Sequence, residues 1–201
     1  MKLKLHALVV ITLAAFSSFS QEPDVTNVTK LTLLNPGISY ETRIGRFQTI
    51  YGQVFANTSA YFSASSTFGT NYGIYFDPAA TLQYRYYYNA YRRTEKEKRT
   101  AMNSMNYLAF ISEFMASKAA LTDEYVNEGN RRLISRFGIG WGLQRNYKGR
   151  FSLDLNFGIG YVISKGTWVD DNGQYQTRNI NKATSMGQIN LGIWLNKKKE
   201  E

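Results

Sequence analysis

The sequence predicts an all-β chain, an eight-stranded antiparallel up-and-down transmembrane β-barrel, on three observations. First, residues 151–164 alternate with a period of two: Phe151, Leu153, Leu155, Phe157, Ile159, Tyr161 and Ile163 take one parity, and Ser152, Asp154, Asn156, Gly158, Gly160, Val162 and Ser164 fall on the other. Side chains of a strand point to opposite faces with a period of two, so one face of this segment meets something apolar over an unusual length. Second, residues 130–145 and 184–196 repeat the pattern. Third, the chain carries 15 Tyr, 12 Phe and 16 Gly against 3 Pro, a balance that favours strands with interfacial aromatics.

The chain begins with Lys2 and Lys4, an apolar run from Leu5 to Phe16, and Ser17-Ser18-Phe19-Ser20. That order reads as a secretory signal peptide over residues 1–20, cleaved before Gln21. The run is shorter than the ~20 apolar residues of a spanning helix, and no later stretch reaches that length. The apolar run holds no Cys to acylate, so a lipoprotein anchor is not expected. Residues 21–196 are read as one barrel domain and 197–201 as a charged tail.

The strands are placed at 25–34, 37–44, 47–63, 72–88, 104–117, 130–145, 150–165 and 184–196. Asn35-Pro36-Gly37 and Arg145 to Arg150 are turns between them. Pro78 interrupts the fourth strand and predicts a bulge, because proline has no N–H for a ladder. Connections after strands 3, 5 and 7, at 63–71, 118–129 and 166–183, read as long, against short ones after strands 2 and 6. This is the asymmetry of outer loops and inner turns. The connection at 89–103 departs from it, being long and basic on the inner side. Asp170-Asp171-Asn172-Gly173 holds only a fragment of a calcium loop. Asn172-Gly173 fits better as a hairpin tip extending strands 7 and 8.

Parity decides the orientation. The apolar face of strand 7 is bulky and aromatic, and its other face is small and polar, the reverse of what a water-soluble barrel needs inside. The expected lipid-facing set is therefore Phe137, Ile139, Trp141, Leu153, Leu155, Phe157, Ile159, Tyr161, Ile189, Leu191 and Ile193. The charges expected inside are Glu41, Arg43, Asp77, Arg85, Glu113, Arg136 and Asp154. They read as a structural network that fills the lumen, since an eight-stranded barrel leaves room for little besides side chains. Neither a substrate-sized cleft nor a general pore is expected.

The chain has no Cys and one His, His6 in the leader. Histidine acid–base chemistry, Ser-His-Asp and Cys-His nucleophiles and nearly all zinc sites are thereby set aside for the mature chain. No catalytic residue, cofactor or metal is expected. Gly138-Ile139-Gly140 and Gly158-Ile159-Gly160 lie inside alternating strands, so they are not phosphate loops. Their glycines are expected to allow bending and close packing of aromatics. The formal charge is +9, or about +7 without Lys2 and Lys4. Arg92, Arg93, Lys96, Lys98 and Arg99 beside Tyr86 to Tyr88 and Tyr91 read as a solvated basic turn under an aromatic girdle, not as a nucleic-acid surface.

In the leader ending Ser18-Phe19-Ser20, the strand Ser39-Tyr40-Glu41-Thr42-Arg43, the run Leu82 to Asn89 before a basic turn, Phe157-Gly158-Ile159-Gly160-Tyr161 and the closing Ile193-Trp194-Leu195, the chain resembles the small OmpA- and OmpX-like outer-membrane barrels of diderm bacteria. The likeness covers essentially the whole mature chain and rests on pattern. Many such barrels end on an aromatic residue that the assembly machinery reads, whereas Asn196 to Glu201 follow Trp194-Leu195 here. The resemblance implies the cell outer membrane as the location, membrane lipid and the assembly machinery as partners, and a structural or surface-interaction role. The alternative is a soluble periplasmic, lipocalin-like barrel whose apolar parity points inward around an apolar ligand. A lipid-modifying barrel enzyme working through Glu41, Asp77 or Asp154 is a third class.

Overall fold

The computed structural model describes residues 24–65, 69–118 and 130–197. The expected signal peptide and most of the 118–129 connection and the charged tail lie outside them. Eight antiparallel strands form a closed ring in up-and-down order: β1 (Val28–Thr32), β2 (Gly37–Gly45), β3 (Gln48–Ser65), β4 (Gly69–Tyr86), β5 (Asn106–Ser117), β6 (Arg132–Asn146), β7 (Phe151–Val169) and β8 (Tyr175–Trp194). The ring closes where Lys30, Leu31 and Thr32 of β1 pair with Trp194, Ile193 and Gly192 of β8. Asn196 pins the seam, accepting from the Thr29 N–H at 2.9 Å and donating to the Asn27 carbonyl at 2.8 Å. Closure leaves no edge strand along the seam to recruit another chain.

The alternation seen in the sequence becomes inside and outside. Phe157, Ile159 and Ile139 are 68%, 67% and 62% exposed on the outer surface, while Asp154 and Arg85, on the opposite parity, are 1% and 0% exposed. Phe137, Trp141, Leu153, Leu155, Tyr161, Ile189, Leu191 and Ile193 share the outer face, exposed or half-buried. No side chain of the Leu153 to Ile163 parity points inward, contrary to what a barrel with an apolar interior requires.

The long hairpins differ from the expected loops. Strands β3 and β4 pair as far as Ser65 and Gly69, and β7 and β8 as far as Val169 and Tyr175. Most of 63–71 and 166–183 is therefore ladder, not loop. These residues do not alternate apolar with polar in the sequence, so the period-two rule does not mark them as strand. The Asn172-Gly173 tip is a tight turn with Gly173 at φ +74°. The Asp170 carboxylate caps it, accepting the N–H groups of Asn172 and Gln174 at 3.0 and 2.8 Å. Those bonds hold the Asp170 carboxyl below the usual carboxylate range, that of Gln174 foremost. A depressed native pKa contributes local stability above the unfolded value of about 3.9, lost as pH falls through the folded value. Amide exchange at Asn172 and Gln174 is thus expected to speed up below about pH 4 relative to mid-strand amides, and D170A should abolish this pH dependence.

Pro78 makes no bulge. It pairs in register with Ala56, and the β4–β5 ladder begins one residue later, at Ala79 and Met115. Beyond the end of that ladder the missing N–H has no ladder partner to deprive.

The basic connection 89–103 is a lid over one barrel end. It forms a short helix, α1 (Ala90–Glu95), and a 3-10 turn (Ala101–Asn103). Ala90 packs with Val25, Met105, Tyr87 and Tyr107 in a buried apolar cluster. Arg93 donates to the Arg99 carbonyl, and Arg99 to the Asn146 carbonyl at 2.9 Å, so the arginines tie the lid to itself and to β6. The expectation of a freely solvated turn is corrected at these two residues. Tyr86 and Tyr88 face outward as expected, but Tyr87, of the other parity, lies inside at 1% exposure.

Candidate functional site: a charged lumen

The principal polar site is an ionic layer across the ring just above the lid. Asp154 on β7 accepts from Arg85 of β4 at 2.9 Å, Lys30 of β1 at 3.4 Å and the Tyr107 hydroxyl of β5 at 2.7 Å. Glu41 of β2 accepts from Thr49 at 2.7 Å and from the Tyr87 hydroxyl at 2.5 Å. Gln144 of β6 joins the two halves. Its Oε1 receives Lys30 at 2.6 Å and Arg85 at 2.9 Å, and its Nε2 donates to Glu41 at 3.1 Å. Only that amide orientation puts oxygen against cations and N–H against carboxylate.

Two cations and two carboxylates balance, and all four are at most 2% exposed. The Arg85 guanidinium is stacked between two rings, 3.7 Å from the Tyr51 centroid and 4.2 Å from that of Tyr107. A delocalised planar cation is suited to such a slot, where lysine would not be. The glycine paired with Tyr107 on β6 makes the space: a Cβ at Gly142 would fall on the Tyr107 ring. G142V should displace Tyr107 from Asp154 and cost about 1–3 kcal/mol, as overpacked cores do, measured as a lower urea midpoint for unfolding in detergent.

Of the seven charges expected inside, Glu41, Arg85 and Asp154 are brought together in this layer. Glu113 and Arg136 face each other across β5 and β6 as a separate ion pair with side chains 14% and 26% exposed. Asp77 lies nearer the long hairpins, accepting from Ser117 at 2.5 Å with Arg131 3.8 Å away. Arg43 is not in the lumen. It sits at the exposed rim, paired with Asp24 at 2.6 Å, because β2 ends within two residues of it at Gly45. The parity was right, but the wall does not extend far enough to cover the side chain.

Sequence reasoning missed Lys30, Gln144's bridging role and the three tyrosines. Lys30 was readable as the polar member between Val28 and Thr32, with Leu31 and Leu33 opposite, but the five-residue β1 is too short for alternation to stand out. Above the ionic layer Gln53 accepts from Gln188 at 3.1 Å and Asn190 at 3.3 Å, forming an amide layer. Higher again, Phe55, Ala79, Met115, Ile134 and Val162 make an apolar cluster.

Chemically, the carboxylates of the ionic layer are saturated, while one Arg85 nitrogen, Nη2, is buried without a hydrogen-bond partner. The rings of Tyr51 and Tyr107 stack on both sides of Arg85, and among the described residues no substrate-sized space separates an acid from a base in this layer. Comparison of the chain with family models, curated proteins and solved structures finds no match.

Proposed function

We propose that the protein is an integral outer-membrane β-barrel with a structural or surface-interaction role and a lumen sealed by side chains. The observation that carries this reading is the inverted partition of residues: large apolar side chains ring the outside, and the ion pairs lie within. Water-soluble monomers rarely present apolar patches beyond a few hundred Å², and here apolar residues line the outer face of every strand from β1 to β8.

The belt has the right height. Leu153 to Ile163 spans about 33 Å of strand, or about 25 Å along the axis at a tilt of about 40°, close to the apolar band of outer-membrane barrels. Tyr88, which accepts from the Trp141 indole at 2.7 Å, lies with Tyr86, Tyr91 and Tyr147 around the lid end. That is the placement of an interfacial girdle. The lid end then faces the periplasm, and the long β3–β4 and β7–β8 hairpins reach outward, available to a surface partner. A lipocalin-like carrier requires Leu155, Phe157 and Ile159 around an internal ligand, and they lie on the other face. A non-enzymatic role fits the saturated carboxylates: E41A, D77A and D154A, where they fold, should leave membrane lipid profiles unchanged.

The test is fractionation of the expressed chain. It should remain in the membrane pellet through a carbonate wash, leave it only with detergent, and migrate faster unheated than boiled on gels. Recovery as a soluble protein without detergent refutes the assignment.

A further inference from the structure

The barrel wall is incomplete above the β1–β2 turn. The last β1–β8 pair is Thr32 with Gly192, and the last β2–β3 pair is Gly37 with Phe55. Beyond them β3 continues to Ser65 and β8 reaches back to Tyr175, paired only with β4 and β7 respectively. Among the described residues, two strands are thus absent from the wall between β3 and β8, which leaves about three inter-strand spacings, or about 14 Å, to cross.

Asn35 forms the sill. Its side chain donates to the Ile189 carbonyl of β8 at 3.3 Å and accepts from the Thr58 N–H of β3 at 3.5 Å. Beside it the Ala56 N–H bonds the Pro36 carbonyl at 2.9 Å and the Leu33 N–H the Leu191 carbonyl at 2.7 Å. A cavity of about 350 Å³ opens above this sill, and its lining mixes the two faces of the barrel: Leu34 and Ile189 from outside, Phe55, Gln188, Glu113 and Arg136 from inside. One void therefore passes through the wall. It ends blindly, because the amide layer and the ionic layer close the lumen beneath it.

The two ends of this void differ in chemistry. The mouth continues the apolar belt, with Leu33, Leu34 and Ile38 exposed at 65%, 49% and 49%. At the back is the Arg136–Glu113 pair, whose side chains, 26% and 14% exposed, are more open than those of Arg85 and Asp154 at 0% and 1%. Arg136 pairs with Val162, next to the Tyr161 and Ile163 that end the apolar parity, so it stands at the upper margin of the belt. A guanidinium has five donors in a planar fork, and one nitrogen, Nη2, meets Glu113; the rest suits a phosphate better than a point charge would. The volume lies at the low end for ligand sites, about 300–1,000 Å³.

We propose that this notch holds one phosphate-bearing membrane lipid from the leaflet nearer the long hairpins, with an acyl chain lying against Leu34 and Ile189 and its phosphate received by Arg136. The inference rests on the membrane reading above. An amphiphile fits both ends of the void at once: its chain need not leave the hydrocarbon, and its charged group reaches Arg136, a cation of the void's own lining at headgroup depth.

The experiment uses the full barrel reconstituted in phosphatidylcholine vesicles doped with a phosphatidic acid carrying an acyl-chain diazirine. After irradiation, crosslinks mapped by mass spectrometry should concentrate on Leu34, Phe55 and Ile189 over Phe110 and Ile139, which lie on the far wall of the belt. R136Q should lower the notch crosslinks about tenfold, the loss of roughly one charge-assisted bond, and leave those at Phe110 unchanged. Should R136Q fail to assemble, L34W, which fills the mouth from outside, gives the same comparison. Millimolar inorganic phosphate should not compete. Crosslinks spread evenly around the belt, competition by free phosphate, chain-to-chain crosslinks, or indifference to R136Q and L34W would each overturn the proposal. Any of these outcomes in protein that remains carbonate-resistant and heat-modifiable leaves the membrane reading standing; a soluble chain removes both.

Discussion

D154A is expected to destabilise the barrel by about 3–5 kcal/mol, the cost of removing one partner from a buried ion pair. Asp154 is the acceptor shared by Arg85, Lys30 and Tyr107, all of them at most 2% exposed. Alanine would leave the layer with two cations against Glu41 alone, in surroundings where no water shell can replace the lost carboxylate. Gln144 cannot compensate, since its Oε1 already receives both cations. D154N retains an acceptor for Tyr107 but not the charge, and should fall between wild type and D154A. A double change that removes charge in balance, Lys30→Met with Asp154→Leu, should recover part of the loss, because buried pairs are often replaceable by apolar residues of similar volume. Loss of the fast-migrating folded band against urea, measured in one detergent, reads all three. Equal midpoints for D154A and wild type would show that the layer does not hold the barrel together.

F157R is expected to cost about 2–4 kcal/mol in bilayers, the penalty for a basic side chain at the midplane on the lipid face of a barrel. Phe157 lies midway in the Leu153 to Ile163 parity and is 68% exposed. In water such a position tolerates arginine, with changes within about 0.5 kcal/mol. The sign and size of the effect therefore report the solvent around the outer face. Tyr175, at 74% exposure in the β7–β8 hairpin, is the control; Y175R lies beyond the belt and should fold as wild type does. Folding yield into vesicles across a urea series makes the comparison.

How much of this was legible depended on whether one face of a segment is dry. Strands β6 and β7 run long with contrasted faces, so their sides and the buried position of Asp154 followed from alternation. The outer reaches of β3, β4, β7 and β8 do not alternate apolar with polar residues in the sequence, and the same rule read them as loops. Lys30 lies in a strand too short to establish a period. Tyr87 was grouped with Tyr86 and Tyr88 by proximity, although parity alone separates it from them. Arg43 shows the converse failure, a correct parity at a place where the wall ends. The lid over 89–103 left little trace, because its arginines bond backbone carbonyls, and such pairings are set by the fold and not by residue spacing. The notch left only the short turn at Asn35-Pro36-Gly37 in the sequence, and its consequence emerged once the neighbouring strands proved long.

The most direct test places a spin label in turn at Leu155, Phe157, Ile159 and Tyr161 in the reconstituted protein and measures collision rates with oxygen, which concentrates in hydrocarbon, and with a water-soluble nickel complex. Oxygen collisions should be highest at Phe157 and Ile159 and fall toward Leu155 and Tyr161, with nickel collisions low throughout. High nickel collisions at Phe157 and Ile159 would mean that water, not lipid, surrounds the outer face, and would contradict the account.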